Sequence, residues 1–576
     1  MKLFVLALDY DGTIARNNVV GADVRDAIAA VRASGIKVLL VTGRILDELH
    51  RVAGDLRFVD GVVAENGAVL HFPETAHTMV IAPAVPAAFV DALRQQRVPL
   101  AVGQSLVDAD AAQAPILLQA LRALELPLVL IFNGGRVMTL PQAVSKATGL
   151  QAMLNTLRRS PHNMMAIGDA ENDHELLRLA EVGAAVAWGS RALRAAADVI
   201  VPGTGAPSIA DYIRSLAAAG RLPVPARARR RLRLGYTDDG REFSLAVRGR
   251  NVLVAGDAKS GKSWVAGLLC EQLILHGYCV CVIDPEGDYR SLEGLPGVSV
   301  LGGEDAPPSP RELVRALRYA DRSLVIDLSR CQLDEKIDYI KSTLPVLNAL
   351  RQQTGLPHRI VLDEAHYFLD AEATERLGEL QSHGYTFITY RASALPQALL
   401  CASEVMIVTR ESDPNEIEAL RRWCTTCKGA DPARWNILSG LDTAQAVALP
   451  ITEECGGDLV RFTLGPRLTP HVRHREKYVD VPISEPRAFV FAPNGHRHGR
   501  RARTLRQFVA ELEHSHDWEG YLQRGDFSRW IADVFGDRVL AGELRAIEAE
   551  YRTAHRPETS AEIINAIRAR YDLSAS

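Results

Sequence analysis

The chain has 576 residues, 47% of them hydrophobic and 24% charged, with a formal net charge of −4. At roughly 150 residues per domain, one hydrophobic core is excluded and three or four domains are expected. The near-neutral balance excludes a surface that is one field for polyanions, and no stretch approaches the ~18 uninterrupted apolar residues of a membrane span.

Eight cysteines in so long a chain do not make a disulfide framework, and they predict a reducing, cytoplasmic setting. The apolar run at the N-terminus is short and ends in acids, so no secretory leader is expected. Nine lysines stand against 57 arginines, which makes each lysine inside a motif informative.

In chain order, the run Phe4 to Leu8 stops at Asp9-Tyr10-Asp11-Gly12-Thr13. A buried strand followed by two acids puts carboxylates at the C-terminal end of a parallel strand, where open α/β sheets bind ligands. Asp and Gly also favour plain turns, but three later stretches argue against that reading. VLLVTGR (38–44) ends another strand in Thr42-Gly43-Arg44, AVSKATGL (143–150) offers Lys146, and MMAIGDAENDHELL (164–177) carries Asp169, Asn172 and Asp173. Phosphoryl transfer to a carboxylate needs this set. One aspartate attacks phosphorus and a neighbour moves the proton of the leaving oxygen. A distal acid completes a magnesium site, and a hydroxyl and an ammonium hold the transferring oxygens.

With these four motifs in order, residues 1–215 resemble a haloacid dehalogenase (HAD) superfamily phosphatase. The resemblance implies a Rossmann-like α/β fold with Asp9 as nucleophile, Asp11 as general acid/base, and Thr42 and Lys146 on the phosphate. It further implies Mg²⁺ on Asp9, Asp169 and the carbonyl of Asp11, with Asp173 in support. Residues of about 71–141 would be a small α+β cap of the Cof-like, type IIB kind, which ENGAVL (65–70) also resembles. Such a cap implies a small phosphorylated substrate, such as a sugar phosphate or phosphoglycolate.

RLPVPARARRRLRLG (221–235), within a linker of residues 216–240, combines prolines with an arginine run. It reads as a solvated linker, with nucleic-acid phosphate contact as the sharper alternative. RNVLVAGDAKSGKSW (250–264) then fits G-x-x-x-x-G-K-[ST] between a strand and a helix. Gly256 and Gly261 shape a loop whose N–H groups can wrap phosphates, Lys262 can reach the β- and γ-phosphates of ATP, and Ser263 can ligate Mg²⁺. HRIVLDEAH (358–366) ends a strand in Asp363, suited to the outer shell of the ion, and Glu364, which can polarise water against the γ-phosphate. A kinase must exclude that water, so Glu364 argues for hydrolysis.

Together with YCVCVIDPEGDY (278–289) and YTFITYRASALP (385–396), this P-loop region resembles the HerA/FtsK ATPases over about residues 240–450, within a domain of residues 241–465. The resemblance implies a RecA-like α/β domain and a homo-oligomeric, hexameric ring, with Arg391 or Arg410 as candidate arginines in trans. It departs from the family at Tyr390, where many relatives carry glutamine. Cys424-Thr-Thr-Cys427, with a lone Cys455 nearby, is too weak a pattern to predict zinc.

The tail, residues 466–576, reads as a mainly helical domain without assigned chemistry. His471, His474, His496 and His498 are more simply loop histidines than metal ligands. Phe527, Trp530, Ile531 and Phe535 at helical spacing predict a packed face. Three functions remain open: a phosphatase fused to a DNA-associated motor, a metabolic phosphatase with a regulatory ATPase, and an end-healing enzyme resembling a polynucleotide kinase–phosphatase.

Overall fold

The computed structural model describes residues 1–576 except 226–227, 248–249, 370–383, 424–431, 450–458, 471–478, 480–482, 484, 492–498, 515–517, 536, 555–557 and 572–576. Cys424, Cys427, Cys455 and the four tail histidines lie outside the described residues. The chain divides into two compact units, one of residues 1–285 with 292–470 and another of 286–291 with 471–576.

The first unit holds two large sheets. The N-terminal sheet has eight strands in the order Val199–Val201, Val182–Val186, Met164–Gly168, Val5–Asp9, Lys37–Val41, Gly61–Ala64, Val69–Phe72 and His77–Val80. The first six are parallel, and Val69–Phe72 runs antiparallel to the neighbours on both sides of it. Val5–Asp9 is buried at every position, because helices cover both faces of a parallel sheet and leave no side for alternation. Helix Ala22–Ala33 buries Val24, Ala27, Ile28 and Val31, one stripe at helical spacing, against that sheet. The strand bearing Asp9 lies between the strands that end at Val41 and Gly168. Neighbouring strands run about 4.8 Å apart, so this order gathers three motifs into a strip about 10 Å wide.

Leu100–Val102, Val107–Asp110, Leu128–Asn133 and Arg136–Pro141 form a separate four-stranded sheet, backed by helices Ala87–Gln95 and Ala114–Ala123. This is the cap. Its expected start near residue 71 needs correction: Val69–Phe72 and His77–Val80 pair into the main sheet, since Val69 and Leu70 are drawn into its core.

The second sheet has eleven strands. Seven are parallel, from Val405–Val408 through Val252–Ala255, Tyr385–Thr389, Arg359–Leu362, Val280–Asp284 and Ser323–Asp327 to Val298–Gly302. Four antiparallel strands extend it, including Arg231–Thr237; the sequence allows a short edge strand at this end of the linker, and the strand is paired on both sides. The sequence is α/β throughout this unit, as its alternating strand and helix signals imply.

A buried polar junction joins the two sheets. His358 Nδ1 accepts from the Cys279 N–H at 2.8 Å, so Nε2 carries the ring hydrogen and faces Ser160 Oγ at 2.9 Å. The His162 ring stacks on Tyr278 with centroids 3.8 Å apart. Both reach Glu181, His162 through Nδ1 at 2.9 Å and Tyr278 through its hydroxyl at 2.8 Å. Lys2 and Arg159 donate to the carbonyls of Gln352 and Gln353, at the negative end of helix Leu333–Thr354. Arg229 and Arg230, read from sequence as solvated linker or nucleic-acid contact, instead donate to carbonyls from Leu177 to Glu181 at the end of helix His174–Leu179. They also pair with Asp198 and Glu181.

The second unit is mainly helical. Helices Leu505–His514, Asp526–Trp530, Arg538–Ala554 and Thr559–Tyr571 pack with a short hairpin, Phe489–Phe491 with Arg500–Ala502, around Phe489, Phe508, Phe527 and Trp530. The apolar stripe read at 527–535 is core. No helix among the described residues is long and apolar enough to cross a membrane.

Burial lowers the affinity of both junction histidines for protons, strongly for His358, while Glu181 partly opposes this at His162. Their folded pKa values therefore lie below the ordinary ~6.5. Below that pH the unfolded chain binds more protons, so stability present above it is lost as pH falls, by up to about 1.4 kcal/mol per pH unit for each histidine. Between pH 7.5 and 5.5 the wild-type denaturant midpoint should fall relative to that of His358→Gln, because groups common to both chains cancel in the difference. A midpoint difference that does not change with pH would contradict the buried neutral ring.

Candidate functional site

Two sites form at strand ends in the first unit. At the first, Asp9 ends its strand and Asp169 follows Met164–Gly168. One ligand atom from each of Asp9, Asp169 and Asp173 falls within 4.8 Å of the others. Lys146 is fully buried, with Nζ 2.5 Å from Asp9 Oδ1 and 2.6 Å from Asp173 Oδ1. Its helix, Lys146–Leu157, is fixed by Ser145, whose side chain accepts from the Thr148 N–H while Thr148 returns a bond to the Ser145 N–H. Asp173 spends its second oxygen on the N–H groups of Asp169 and Ala170. It is thus a bracket for the loop rather than an open ligand.

The electrostatics follow from this crowding. Burial, then the Asp173 carboxylate, pushes Asp9 well above the ordinary carboxylate range, with Lys146 pulling the other way. Asp169 is pushed up to about 6, again by burial and then Asp173. Burial alone would lower Lys146, but Asp173 and Asp9 outweigh it and hold the ammonium charged. Asp9 Oδ2 is buried, and no donor among the described residues reaches it. Hard carboxylate oxygens, one of them without a donor, converge where only one ammonium offsets them; this donor set fits Mg²⁺.

Thr42 is buried after the strand Lys37–Val41, and its hydroxyl accepts from the Arg44 N–H at 3.1 Å, which leaves its own hydrogen to donate. Asp11 sits at the rim and is gripped by Arg44, with Nε and Nη2 each 2.7 Å from a carboxylate oxygen. Arg44 also reaches Glu48 and Asn18. The VTGR motif pointed to Thr42, and its arginine was passed over. The cap seats directly on this loop: Ile45 packs with Leu106, Met138 and Leu140, and a Cβ on Gly43 would stand 3.0 Å from Met138 Sδ. Buried Glu65 accepts the N–H groups of Gln104 and Ser105, pinning a cap loop to the core. Asn172 faces Asn66 at 3.4 Å. These contacts join positions about 40 to 106 residues apart in the chain, so no local signal announces them.

The second site is the loop between Val252–Ala255 and helix Lys262–Leu275. Gly256 has φ +142°, and a Cβ there would lie 2.2 Å from Thr409 Oγ1, so only glycine lets the loop turn beneath that strand. Gly261 caps the helix, Lys262 donates to the Asp257 carbonyl at 2.7 Å, and Ser263 stands in the first turn. Asp363 and Glu364 are buried at the end of Arg359–Leu362, and Asp363 Oδ1 accepts the Glu364 N–H. The strand Tyr385–Thr389 lies between theirs and the loop's. The strand that ends before Asp363 and Glu364 thus lies two strand spacings, about 10 Å, from the one that ends in the loop.

Tyr390, the departure noted in the sequence, meets Tyr367 hydroxyl to hydroxyl at 2.9 Å. His366 Nδ1 lies 3.0 Å from Thr389 Oγ1 and 3.7 Å from Glu364. Arg391 is exposed, whereas Arg410 lies 3.8 Å from Asp257 of its own loop. Sequence reasoning missed Glu411, which burial and then Asp257 push up to about 8, and Ser412, which bonds Asp257 at 2.7 Å.

Two parts of the chain match known families. Residues 6–107 and 101–213 match the haloacid dehalogenase-like hydrolase family, and residues 246–386 match the helicase HerA central domain. A phosphoglycolate phosphatase of Methanothermobacter thermautotrophicus is 28% identical over 225 residues, covering 36% of this chain and 96% of that protein. Another, from Natronomonas pharaonis, is 31% identical over 213 residues, covering 34% and 89%. A solved haloacid dehalogenase-like hydrolase from Bacteroides thetaiotaomicron is 16% identical and covers 37% of this chain and all of its own, at a TM-score of 0.33. The chain belongs, through its N-terminal part, to the haloacid dehalogenase-like hydrolases. It is an enzyme of the HAD phosphatase type that carries a HerA-type P-loop ATPase domain.

The carboxylate cluster predicts cation binding that depends on Asp169. Without nucleotide, Mg²⁺ at about 100 times its Kd should stabilise the protein by about 2.7 kcal/mol, read as a raised denaturant midpoint. Asp169→Asn should erase the shift. An unchanged midpoint in the wild type at saturating Mg²⁺ would count against the site.

Proposed function

We propose that the chain hydrolyses a small phosphomonoester at the first site and ATP at the second. The buried Asp9–Lys146–Asp173 cluster carries this reading, because it sets a nucleophilic carboxylate beside an ammonium under a seated cap. Asp9 attacks phosphorus as the P–O bond to the leaving group breaks, giving an aspartyl-phosphate, and Asp11 supplies the proton to the departing oxygen. Water then attacks phosphorus, Asp11 takes its proton, and Asp9 is released with inorganic phosphate. Thr42 and Lys146 hold the transferring oxygens. Asp9, Asp169 and the Asp11 carbonyl would hold Mg²⁺, supported by Asp173, and the ion offsets charge between the carboxylates and the phosphate.

The roof set by Met138 and Leu106 on the Thr42–Ile45 loop favours a compact substrate over a polynucleotide end. With phosphoglycolate phosphatases among the relatives, a short carboxylated or sugar phosphate ester is the substrate class.

At the second site, Lys262 and the loop N–H groups hold the ATP phosphates, Ser263 and Asp363 serve Mg²⁺, and Glu364 takes the proton of the attacking water. Glu364, a carboxylate able to activate water, favours hydrolysis over transfer to an alcohol and speaks against the kinase reading.

Asp9→Asn should abolish 2-phosphoglycolate and p-nitrophenyl phosphate hydrolysis while leaving ATP turnover. Lys262→Ala should lose ATP binding, and Glu364→Gln should bind ATP without turning it over. Phosphatase activity surviving in Asp9→Asn would remove the nucleophile from this account.

A second reading, a DNA-associated motor working as a ring, is favoured by the match to the helicase HerA central domain. Double-stranded DNA should then stimulate ATP hydrolysis, less so at higher salt as phosphate contacts are displaced. A rate indifferent to DNA, with no salt-sensitive binding, leaves the metabolic phosphatase with a regulatory ATPase.

A further inference from the structure

The junction between the sheets is built from the roots of the catalytic strands. Ser160, His162 and Asn163 lie in the turn just before Met164–Gly168, which delivers Asp169. Tyr278 and Cys279 immediately precede Val280–Asp284, and His358 precedes Arg359–Leu362, which delivers Asp363 and Glu364. The two parallel sheets thus meet at their N-terminal edges, and their catalytic edges point away from the contact. At about 3.3 Å per strand residue, the two sites stand on the order of 40 Å apart. No substrate can be handed directly from one to the other.

What the junction can pass is position. The Ser160–Asn163 turn plugs into the other domain: a Cβ on Gly355 would stand 2.4 Å from Asn163 Oδ1, and Gly277 packs beside His162 Nε2. Ser160 Oγ receives both the His162 N–H and the His358 ring. Beyond His358 the polar layer continues inward. Buried Arg359 donates to the carbonyls of Arg250 and Tyr385, and Asn251 bonds the Tyr385 N–H and the Ala402 carbonyl. Asn251 opens onto Val252–Ala255, the strand that ends in the P-loop. Ser160, His358, Arg359 and Asn251 therefore link the root of the Asp169 strand to the roots of the strands that carry the P-loop and Glu364. Every group in this layer is buried, and leaving any of them unbonded would cost about 1–3 kcal/mol. Displacement of one strand must therefore carry its partner.

We infer that the two catalytic centres are energetically coupled through this junction, so that nucleotide at the P-loop resets the phosphatase and its affinity for a phosphate mimic at Asp9, and the mimic resets nucleotide affinity by the same factor as its own affinity changes. The inference rests on the two activities read above, and it identifies the ATPase domain as the regulator of the phosphatase. Couplings of this kind span about 5- to 150-fold.

The test uses the full chain. Hydrolysis of p-nitrophenyl phosphate in Mg²⁺ is measured with and without saturating AMP-PNP, whose binding is followed by separate titration. AMP-PNP should change kcat/KM by at least about 5-fold, at the low end of that span, and Lys262→Ala should lose the effect. Orthovanadate should shift the Kd of AMP-PNP, and AMP-PNP that of orthovanadate, equally, with Lys262→Ala as the blank for vanadate at the P-loop. Tyr278→Phe and Ser160→Ala, each checked for an unchanged fold by thermal melting, should keep both separate activities within about twofold while both couplings collapse toward unity. Bound AMP-PNP that leaves the ester rate and the vanadate Kd unchanged overturns the inference, as does full coupling in both junction variants. A wild type without p-nitrophenyl phosphate hydrolysis counts against the phosphatase reading alone, because the vanadate–AMP-PNP linkage still decides the coupling.

Discussion

The N-terminal site depends on keeping like charges together out of water. Asp9, Asp169 and Asp173 meet at the ends of neighbouring strands, where burial and mutual repulsion raise the proton affinity of Asp9 and Asp169. Lys146 is the protein's own answer. It can bridge Asp9 and Asp173 only because its helix begins at a capped serine that aims the first residue at the sheet edge. Strand order, the cap of that helix and the loop bracketed by Asp173 are parts of one electrostatic solution. On the proposed mechanism a cation completes it better than protons can, since a protonated Asp9 could not attack phosphorus.

The P-loop domain handles phosphate differently. It offers main-chain N–H groups at a helix start, where the helix dipole favours anions, and places its acidic residues two strands away. The first site concentrates negative charge at its strand ends, whereas the second presents main-chain N–H groups at a helix start and holds Asp363 and Glu364 two strands away. Two such sites cannot share a pocket without cancelling each other's fields. Their placement on opposite edges of a shared junction respects that.

The junction between the two large sheets is polar, and its centre is buried. Stacked His162 and Tyr278, the His358–Ser160 bond and four cationic side chains at two helix C-termini replace the apolar faces that would let domains slide. Directional bonds with unsatisfied-group penalties specify one arrangement, while apolar contact tolerates several. That makes the arginine run before the P-loop domain part of the architecture.

From sequence alone, both chemistries were legible. DYDGT, VTGR, Lys146 and GDAEND stand at strand ends, and GDAKSGKS stands between a strand and a helix; each motif is local, and its residues are fixed by backbone geometry within a few positions. The helical stripe at 527–535 was legible for the same reason. What the sequence left open is non-local. Arg44 gripping Asp11, Glu65 pinning the cap, the assignment of His77–Val80 to the main sheet, and Arg229 and Arg230 capping a helix about 50 residues away all depend on which surfaces meet. An arginine in a loop reads as solvated until a carbonyl row is folded against it. Ser160, His162, Tyr278 and His358 carry no motif, and only the tertiary structure turns four scattered polar residues into one buried contact, because hydrogen-bond partners are chosen by packing and not by spacing along the chain.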